Sequence, residues 1–267
     1  MSLSQSEITS SQQLVIDTFL GFRDELRSSF GNVKYTSKKD TSPVTELDVK
    51  VEHTLKEKLL AQFPTIGFHG EETDDVVGTS NALWIVDPID GTSSFVHGLP
   101  YCTNMAALIA DGDIVASVIY DFVNDELFTA RRGEGAFKNG QPIRVADEPL
   151  DNSMVFSGSF AYKNLYHLLQ PHGIGVYAPI GASGYEYTRL AQGNIQAVTK
   201  LNCKSQIHDN VPGMLLVQEA GGVIVPFEQK TQEYELLQLV ACTPTIANLF
   251  ETHRDEIKEL ILSGDNK

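Results

Sequence analysis

Four acidic residues have neighbours and spacing suited to holding cations: Glu71, Asp87, Asp90 and Asp209. The middle two lie in one stretch, Trp84-Ile85-Val86-Asp87-Pro88-Ile89-Asp90-Gly91-Thr92-Ser93-Ser94-Phe95. It begins apolar and β-favouring, as a buried strand would. Pro88 lacks an N–H and fixes its own φ, so the sheet ladder is expected to stop there. Two carboxylates at a strand end add nothing to packing, but carboxylate oxygens bind hard cations such as Mg²⁺. Gly91-Thr92 follows at once, and free N–H groups at a tight turn or helix start accept phosphate. Cations beside an anion-accepting turn are the parts of a metal-dependent phosphatase.

Each part alone has a plainer explanation. An isolated Asp-x-x-Asp is usually a solvated turn, and Gly70-Glu71-Glu72 is a weaker signal. Asp209 at a helix start suits an N-cap, and Asp48 suits a solvated first helical turn. The stretch from Trp84 to Phe95 taken whole raises the odds of chemistry. If the four carboxylates converge, they could hold two divalent ions about 4 Å apart, with Asp87 bridging. A water held there would be the nucleophile, and the second ion would stabilise the leaving oxygen. Gly91 and Thr92 would offer N–H groups to phosphate, and the Thr92 hydroxyl would orient the water.

The elements that must position these groups can be read in outline. Leu14, Val15, Phe19, Phe22, Leu26 and Phe30 recur at helical spacing and predict one amphipathic helix over residues 5–30. A second helix is expected from Thr45, with Leu47, Val51, Leu55 and Leu59 on one face, ending before Pro64. A short strand over 66–68 leads into Gly70-Glu71-Glu72. Beyond the central strand, residues 105–129 read as antiparallel strands with turns at Asp111-Gly112 and Asn124-Asp125. The meander runs on through Asn139-Gly140 to Val145. After Leu150 strands and helices alternate, so the expected organisation is an N-terminal half, residues 1–150, and a C-terminal α/β half, residues 151–267. Helices are expected over 212–219, closed by Gly221-Gly222, and over 244–262.

The chain has 267 residues, 42% of them apolar, enough for a substantial core. No run approaches the roughly 18 apolar residues of a membrane span, and the polar start lacks a secretory pattern; a cytoplasmic location is the expectation. The net charge of −15 argues against a general nucleic-acid binder. Cys102, Cys203 and Cys242 match no zinc or redox spacing and are expected to be reduced and non-catalytic.

The stretch from Trp84 to Phe95 closely resembles the first signature of the inositol monophosphatase family. Gly70-Glu71-Glu72 stands upstream as it does there, Pro43-Val44-Thr45-Glu46-Leu47-Asp48 is similar to the family's early Val-Thr-Glu-x-Asp element, and Glu219-Ala220-Gly221-Gly222 to the end of its second signature. The similarity runs over about residues 10–262. It implies a layered αβαβα sugar-phosphatase fold, two or three Mg²⁺ ions, lithium inhibition and a homodimer. It further implies that Glu71, Asp87 and the Ile89 carbonyl hold the first metal, and Asp87, Asp90 and Asp209 the second. Glu71 and Thr92 would activate water with support from Asp48, while Gly91 and Thr92 meet the phosphate. Lys39 would lie near a further, weak metal site.

The departures concern substrate. The second signature reads His208-Asp209-Asn210-Val211-Pro212-Gly213 where the family has Trp-Asp and an alanine pair. His208 stands as a packing substitute, with a polar contact to substrate as the alternative; Pro212 is tolerable in a first helical turn. Inositol phosphatases of the family carry a sugar-binding Glu seven residues before the aspartate; here that count gives Asn202. Ala182 and Ser183 match the small-residue substrate loop in texture. Lys200 and Lys204, if pointing inward, would favour a more anionic substrate. The expected reaction is hydrolysis of a small sugar or inositol phosphate. The alternatives are a nucleotide-type phosphatase acting on 3′-phosphoadenosine phosphate or NADP, and a non-catalytic regulatory family member.

Overall fold

The computed structural model describes residues 2–178, 181–201 and 205–264, with backbone alone for 159–162 and 260–264. The first helical stripe forms α1 (Gln5–Gly21) and α2 (Arg23–Ser29), not one helix. Gly is a poor helix interior residue, and the break falls at Phe22, just after Gly21. A hairpin of β1 (Tyr35–Ser37) and β2 (Pro43–Thr45) leads into α3 (Glu46–Gln62). Thr45 and Asp48 close the start of α3 with a reciprocal capping box.

One mixed sheet follows in spatial order: β3 (Gly67–Gly70), β4 (Ala82–Asp90), β5 (Thr103–Ala110), β6 (Asp113–Asp121), β7 (Glu126–Arg131), β8 (Gly135–Lys138) and β9 (Gln141–Ile143). Only β3 and β4 pair in parallel. A short helix, α4 (Thr92–His97), caps the end of β4. The second sheet contains β10 (Met154–Ser157), β11 (Gly175–Tyr177), β12 (Ala197–Lys200), β13 (Val223–Pro226) and β14 (Leu239–Cys242), in the order β11-β10-β12-β14-β13. Its helices are α5 (Ser159–Leu169), α6 (Ser183–Ala191), α7 (Ile207–Glu219), α8 (Pro244–Thr252) and α9 (Arg254–Gly264). The last pair replaces the single helix expected over 244–262.

Alternation along the strands builds the layers. Trp84 and Val86 of β4 and Ala106 and Leu108 of β5 pack with Val15 and Phe19 of α1 and Val51 and Leu55 of α3. Ile85, Met105 and Ala107 face the other way, onto Val211, Met214 and Leu215 of α7 and Leu190 of α6. A third cluster joins Val240 and Val225 to Leu165 of α5 and Ile246 and Phe250 of α8. The order is α1/α3, first sheet, α6/α7, second sheet, α5/α8/α9, the αβαβα layering expected. No helix among the described residues is long and apolar enough to cross a membrane.

Candidate active site

Three structural devices bring the acidic groups together. The first is the end of β4. The ladder with β5 runs to Asp87, is interrupted at Pro88 and Ile89, and resumes at Asp90 opposite Thr103. Pro88 thus interrupts pairing without ending the strand, contrary to the expected stop. The irregularity leaves Asp87 and Asp90 buried, 2% and 4% exposed, on the same cluster.

The second device is α7. It starts at Ile207, five residues earlier than the helix expected from Pro212, so Pro212 sits inside the second turn. Asp209 is not the N-cap but the third helical residue; Gln206 caps, and its N–H donates to Asp209 Oδ2 at 2.6 Å. The helix start carries Asp209 to Asp87 and Asp90: one carboxylate oxygen of each lies within 4.8 Å of the others. The same limit encloses Glu71, Asp87 and a ring nitrogen of His208.

The third device is the loop carrying Glu71. Glu52 of α3 is fully buried, and its carboxylate accepts the N–H groups of Glu72 at 2.9 Å and Thr73 at 2.7 Å. A Cβ on Gly70 would meet that carboxylate at 2.2 Å, so glycine permits the close approach. Sequence reading missed Glu52; the signal was a second acid one helical turn beyond Asp48, on the face that carries Leu55 and Leu59.

Asp48 is buried and not a solvated turn residue. Its Oδ2 accepts Thr45 N–H and hydroxyl, and its Oδ1 lies 3.0 Å from the Thr92 hydroxyl. That hydroxyl is also 2.9 Å from the Ile89 carbonyl oxygen, and its one proton serves one acceptor at a time. Gly91 has φ +81°; a Cβ there would approach the Tyr101 carbonyl oxygen at 2.5 Å and Ala182 Cβ at 2.8 Å. Ala182 therefore does border the turn. Ser183 N–H donates to Asp90 Oδ1 at 3.0 Å and Gly184 N–H to Oδ2 at 2.7 Å, so the start of α6 serves Asp90 directly.

Two expectations about lysines change. Lys38, not Lys39, meets the acidic loop: its ammonium lies 2.6 Å from Glu71 and 2.5 Å from Glu72, while Lys39 is exposed. Lys200 does point inward, but it pairs with buried Glu186 at 2.8 Å and donates to Ser183 Oγ at 2.9 Å, which neutralises it. Asn202, Cys203 and Lys204 lie outside the described residues. Cys102 and Cys242 are buried free thiols.

Electrostatics favour a cation. Burial and then the charges of Glu71, Asp90 and Asp209 push the Asp87 carboxyl well above its ordinary range. Burial and the charge of Asp209 raise Asp90 to about 7, against the Gly184 N–H and Lys200. Burial also raises Asp48, despite hydrogen bonds from Thr45 and Thr92. Burial opposes the Lys38 ammonium, yet its bonds to Glu71 and Glu72 outweigh that and raise its pKa. Carboxyls that hold protons for want of compensating charge are places where a divalent cation fits. Asp87 Oδ1 is buried with no hydrogen-bond partner, which is the signature of such a fit.

Comparison with known proteins agrees with the geometry. The model of the inositol monophosphatase family matches residues 4–261. An inositol-1-monophosphatase of Rhizobium meliloti is 34% identical over 200 residues, 72% of this chain and 74% of that protein. A histidinol-phosphatase of Chlorobaculum parvum is 44% identical over 110 residues, 41% of this chain and 42% of its own. The crystal structure of extragenic suppressor protein suhB from Bartonella henselae superposes with a TM-score of 0.81 at 26% identity, covering 94% of this chain and 98% of that one.

Proposed function

Because the chain belongs to the inositol monophosphatase family, we propose that this phosphomonoesterase hydrolyses a small sugar or inositol phosphate at the cluster of Glu71, Asp87, Asp90 and Asp209. The observation that carries the proposal is Asp87: a buried carboxylate shared by both ligand groups, with an oxygen that nothing in the protein satisfies. Glu71, Asp87 and the Ile89 carbonyl would hold one cation, and Asp87, Asp90 and Asp209 a second. The all-carboxylate second place suits Mg²⁺, a hard cation that prefers oxygen. Bound cations would neutralise phosphate charge and favour in-line attack by water.

The chain's own groups do the rest. The Thr92 hydroxyl accepts from the attacking water while donating to Asp48 Oδ1, and Asp48, with its raised pKa, is suited to take up the proton. Gly91 and Thr92 N–H groups, at the turn that opens α4, meet the phosphate oxygens. Ala182 shapes the wall beside them. The N-terminal and C-terminal halves, 1–150 and 151–267, each supply part of this cluster. The proposal includes lithium inhibition and a homodimer, as the family resemblance implies, together with a cytoplasmic location.

A second substrate class has its own support. Tyr101, Phe156, Tyr177, Tyr185 and Met154 line a cavity of 350 Å³ that reaches Ala182, within the roughly 300–1,000 Å³ range of small-molecule sites. Tyr185 is braced by the Arg189 guanidinium 4.6 Å over its ring. Flat aromatic walls favour a leaving group with a ring, as in 3′-phosphoadenosine phosphate, NADP or histidinol phosphate. Phosphate release from a panel of inositol, sugar, histidinol and nucleotide phosphates, with Mg²⁺ and with a chelator, tests both classes. Release that needs the cation supports the proposal. No release from any substrate with any divalent cation overturns it and favours a non-catalytic role.

A further inference from the structure

His208 occupies the place where the family has tryptophan, yet it does not behave as a packing residue. It is 8% exposed, and its Nδ1 is buried without a hydrogen-bond partner. Leaving a buried polar nitrogen unpaired costs about 1–3 kcal/mol, so a partner is missing. One of its ring nitrogens lies within 4.8 Å of carboxylate oxygens of both Glu71 and Asp87. Asp87 Oδ1, on a residue of the same cluster, is likewise buried without a hydrogen-bond partner. An imidazole nitrogen and a carboxylate oxygen can both give an electron pair to one cation, and the two residues come within reach of each other and of Glu71.

We infer that His208 is a ligand to the cation held by Glu71 and Asp87, and that this place is a mixed imidazole–carboxylate site selecting Zn²⁺, Co²⁺ or Mn²⁺ over Mg²⁺. The inference rests on the proposal that cations occupy the cluster, and adds the identity of one donor. Mg²⁺ prefers oxygen ligands and dehydrates reluctantly, whereas imidazole raises affinity for first-row transition ions and zinc. The neighbouring group, Asp87, Asp90 and Asp209, has oxygen donors alone. The two places therefore differ in preference, with one carboxylate between them.

The surroundings fit a ligand held in position. The His69 ring stacks on His208 with centroids 6.3 Å apart, and His69 Nδ1 is tied to Asp75 at 2.8 Å. His208 is the second residue of α7, just before Asp209, so the same helix turn delivers a ligand to each place. Lys38, against Glu71, must share that carboxylate with the incoming ion.

The test reads the metal and not turnover. Full-length protein saturated with Mn²⁺, so that both places are filled, is examined by pulsed electron paramagnetic resonance for ¹⁴N coupling from a bound imidazole, and Zn²⁺ and Mg²⁺ affinities are measured by calorimetry. The wild type should show the coupling; His208→Gln and His208→Trp should lose it, while His69→Gln keeps it. Zn²⁺ affinity should fall about 10–100-fold in both His208 variants, at least the loss seen for an outer-shell partner, with Mg²⁺ affinity little changed. Bound Mn²⁺ without ¹⁴N coupling in the wild type overturns the inference even if both variants fail to fold. So does unchanged Zn²⁺ affinity in a folded variant. A wild type that binds no divalent ion refutes the cation proposal itself, a different result.

Discussion

Asp90→Asn separates the role of Asp90 in folding from its role in holding a cation. The carboxylate takes three hydrogen bonds: Ser183 N–H on Oδ1, and Gly184 N–H and the Thr103 hydroxyl on Oδ2. An amide has one acceptor oxygen. Keeping Gly184 and Thr103 on that oxygen turns the NH₂ toward the Ser183 N–H, an unmet donor costing about 1–3 kcal/mol. Against this, the variant removes a buried charge. The rise of the Asp90 pKa from 3.8 to about 7 corresponds to about 4 kcal/mol at most above neutral pH, at 1.36 kcal/mol per unit. The two effects oppose, so the cation-free variant should lie within about 3 kcal/mol of wild type, and its melting temperature within about 12 °C. Cation response should differ sharply. A ligand at 100 times its Kd stabilises by about 2.7 kcal/mol, so wild type should gain about 5–10 °C from saturating divalent cation. The variant should gain little, and its turnover should fall by at least about 10²–10³-fold, the scale of a lost electrostatic stabiliser. Thermal melts with and without cation, beside a phosphate-release assay, read both quantities. A folded Asp90→Asn protein that keeps the full cation-induced shift, or near-normal turnover, would refute the reasoning.

Other outcomes follow from the same geometry. The Asp90 carboxyl is raised, so the folded chain binds the extra proton between pH about 4 and about 7, and that share of stability is lost as pH rises through this window; cation-free melting temperature should fall from pH 5 to 8, and saturating cation or Asp90→Asn should flatten the slope. Thr92→Val removes the hydroxyl between Asp48 and the Ile89 carbonyl and should lower kcat by about 10²-fold or more, with cation affinity nearly unchanged by calorimetry. Gly91→Ala places a Cβ against the Tyr101 carbonyl at φ +81° and should destabilise by more than about 1 kcal/mol, read by denaturant unfolding. Glu52→Gln leaves one of the Glu72 and Thr73 N–H groups unmet; it should weaken binding of one cation by about 10-fold with Asp87 and Asp90 intact, read by calorimetric titration.

Much of the architecture was legible because its causes are local. The apolar spacing of α1 and α3, the turn pairs Asp111-Gly112 and Asn124-Asp125, and the β-rich run of β4 each declare themselves over a few residues. The layered order followed from family resemblance and not from periodicity. Boundaries failed where long-range or cap interactions override propensity. Gln206 and Asp209 start α7 ahead of Pro212, and the β4–β5 ladder re-forms beyond Pro88 because Asp90 finds Thr103 opposite it. In the site, the carboxylates were visible by motif, but their partners were not. Lys38, Glu52 and Glu186 act across 33, 20 and 14 residues of sequence on Glu71, Glu72 and Lys200, and no spacing rule marks such pairs. His208 read as a packing substitute because nothing local shows that a side chain seven residues beyond Leu201 ends beside Glu71 and Asp87.

The most direct measurement is anomalous diffraction from crystals of the full chain grown with Mn²⁺ and phosphate. One peak should lie among Asp87, Asp90 and Asp209 and another between Glu71 and Asp87, with phosphate density over Gly91 and Thr92. Well-ordered carboxylates with no anomalous peak among them, at saturating Mn²⁺, would contradict the existence of a cation-binding catalytic centre here.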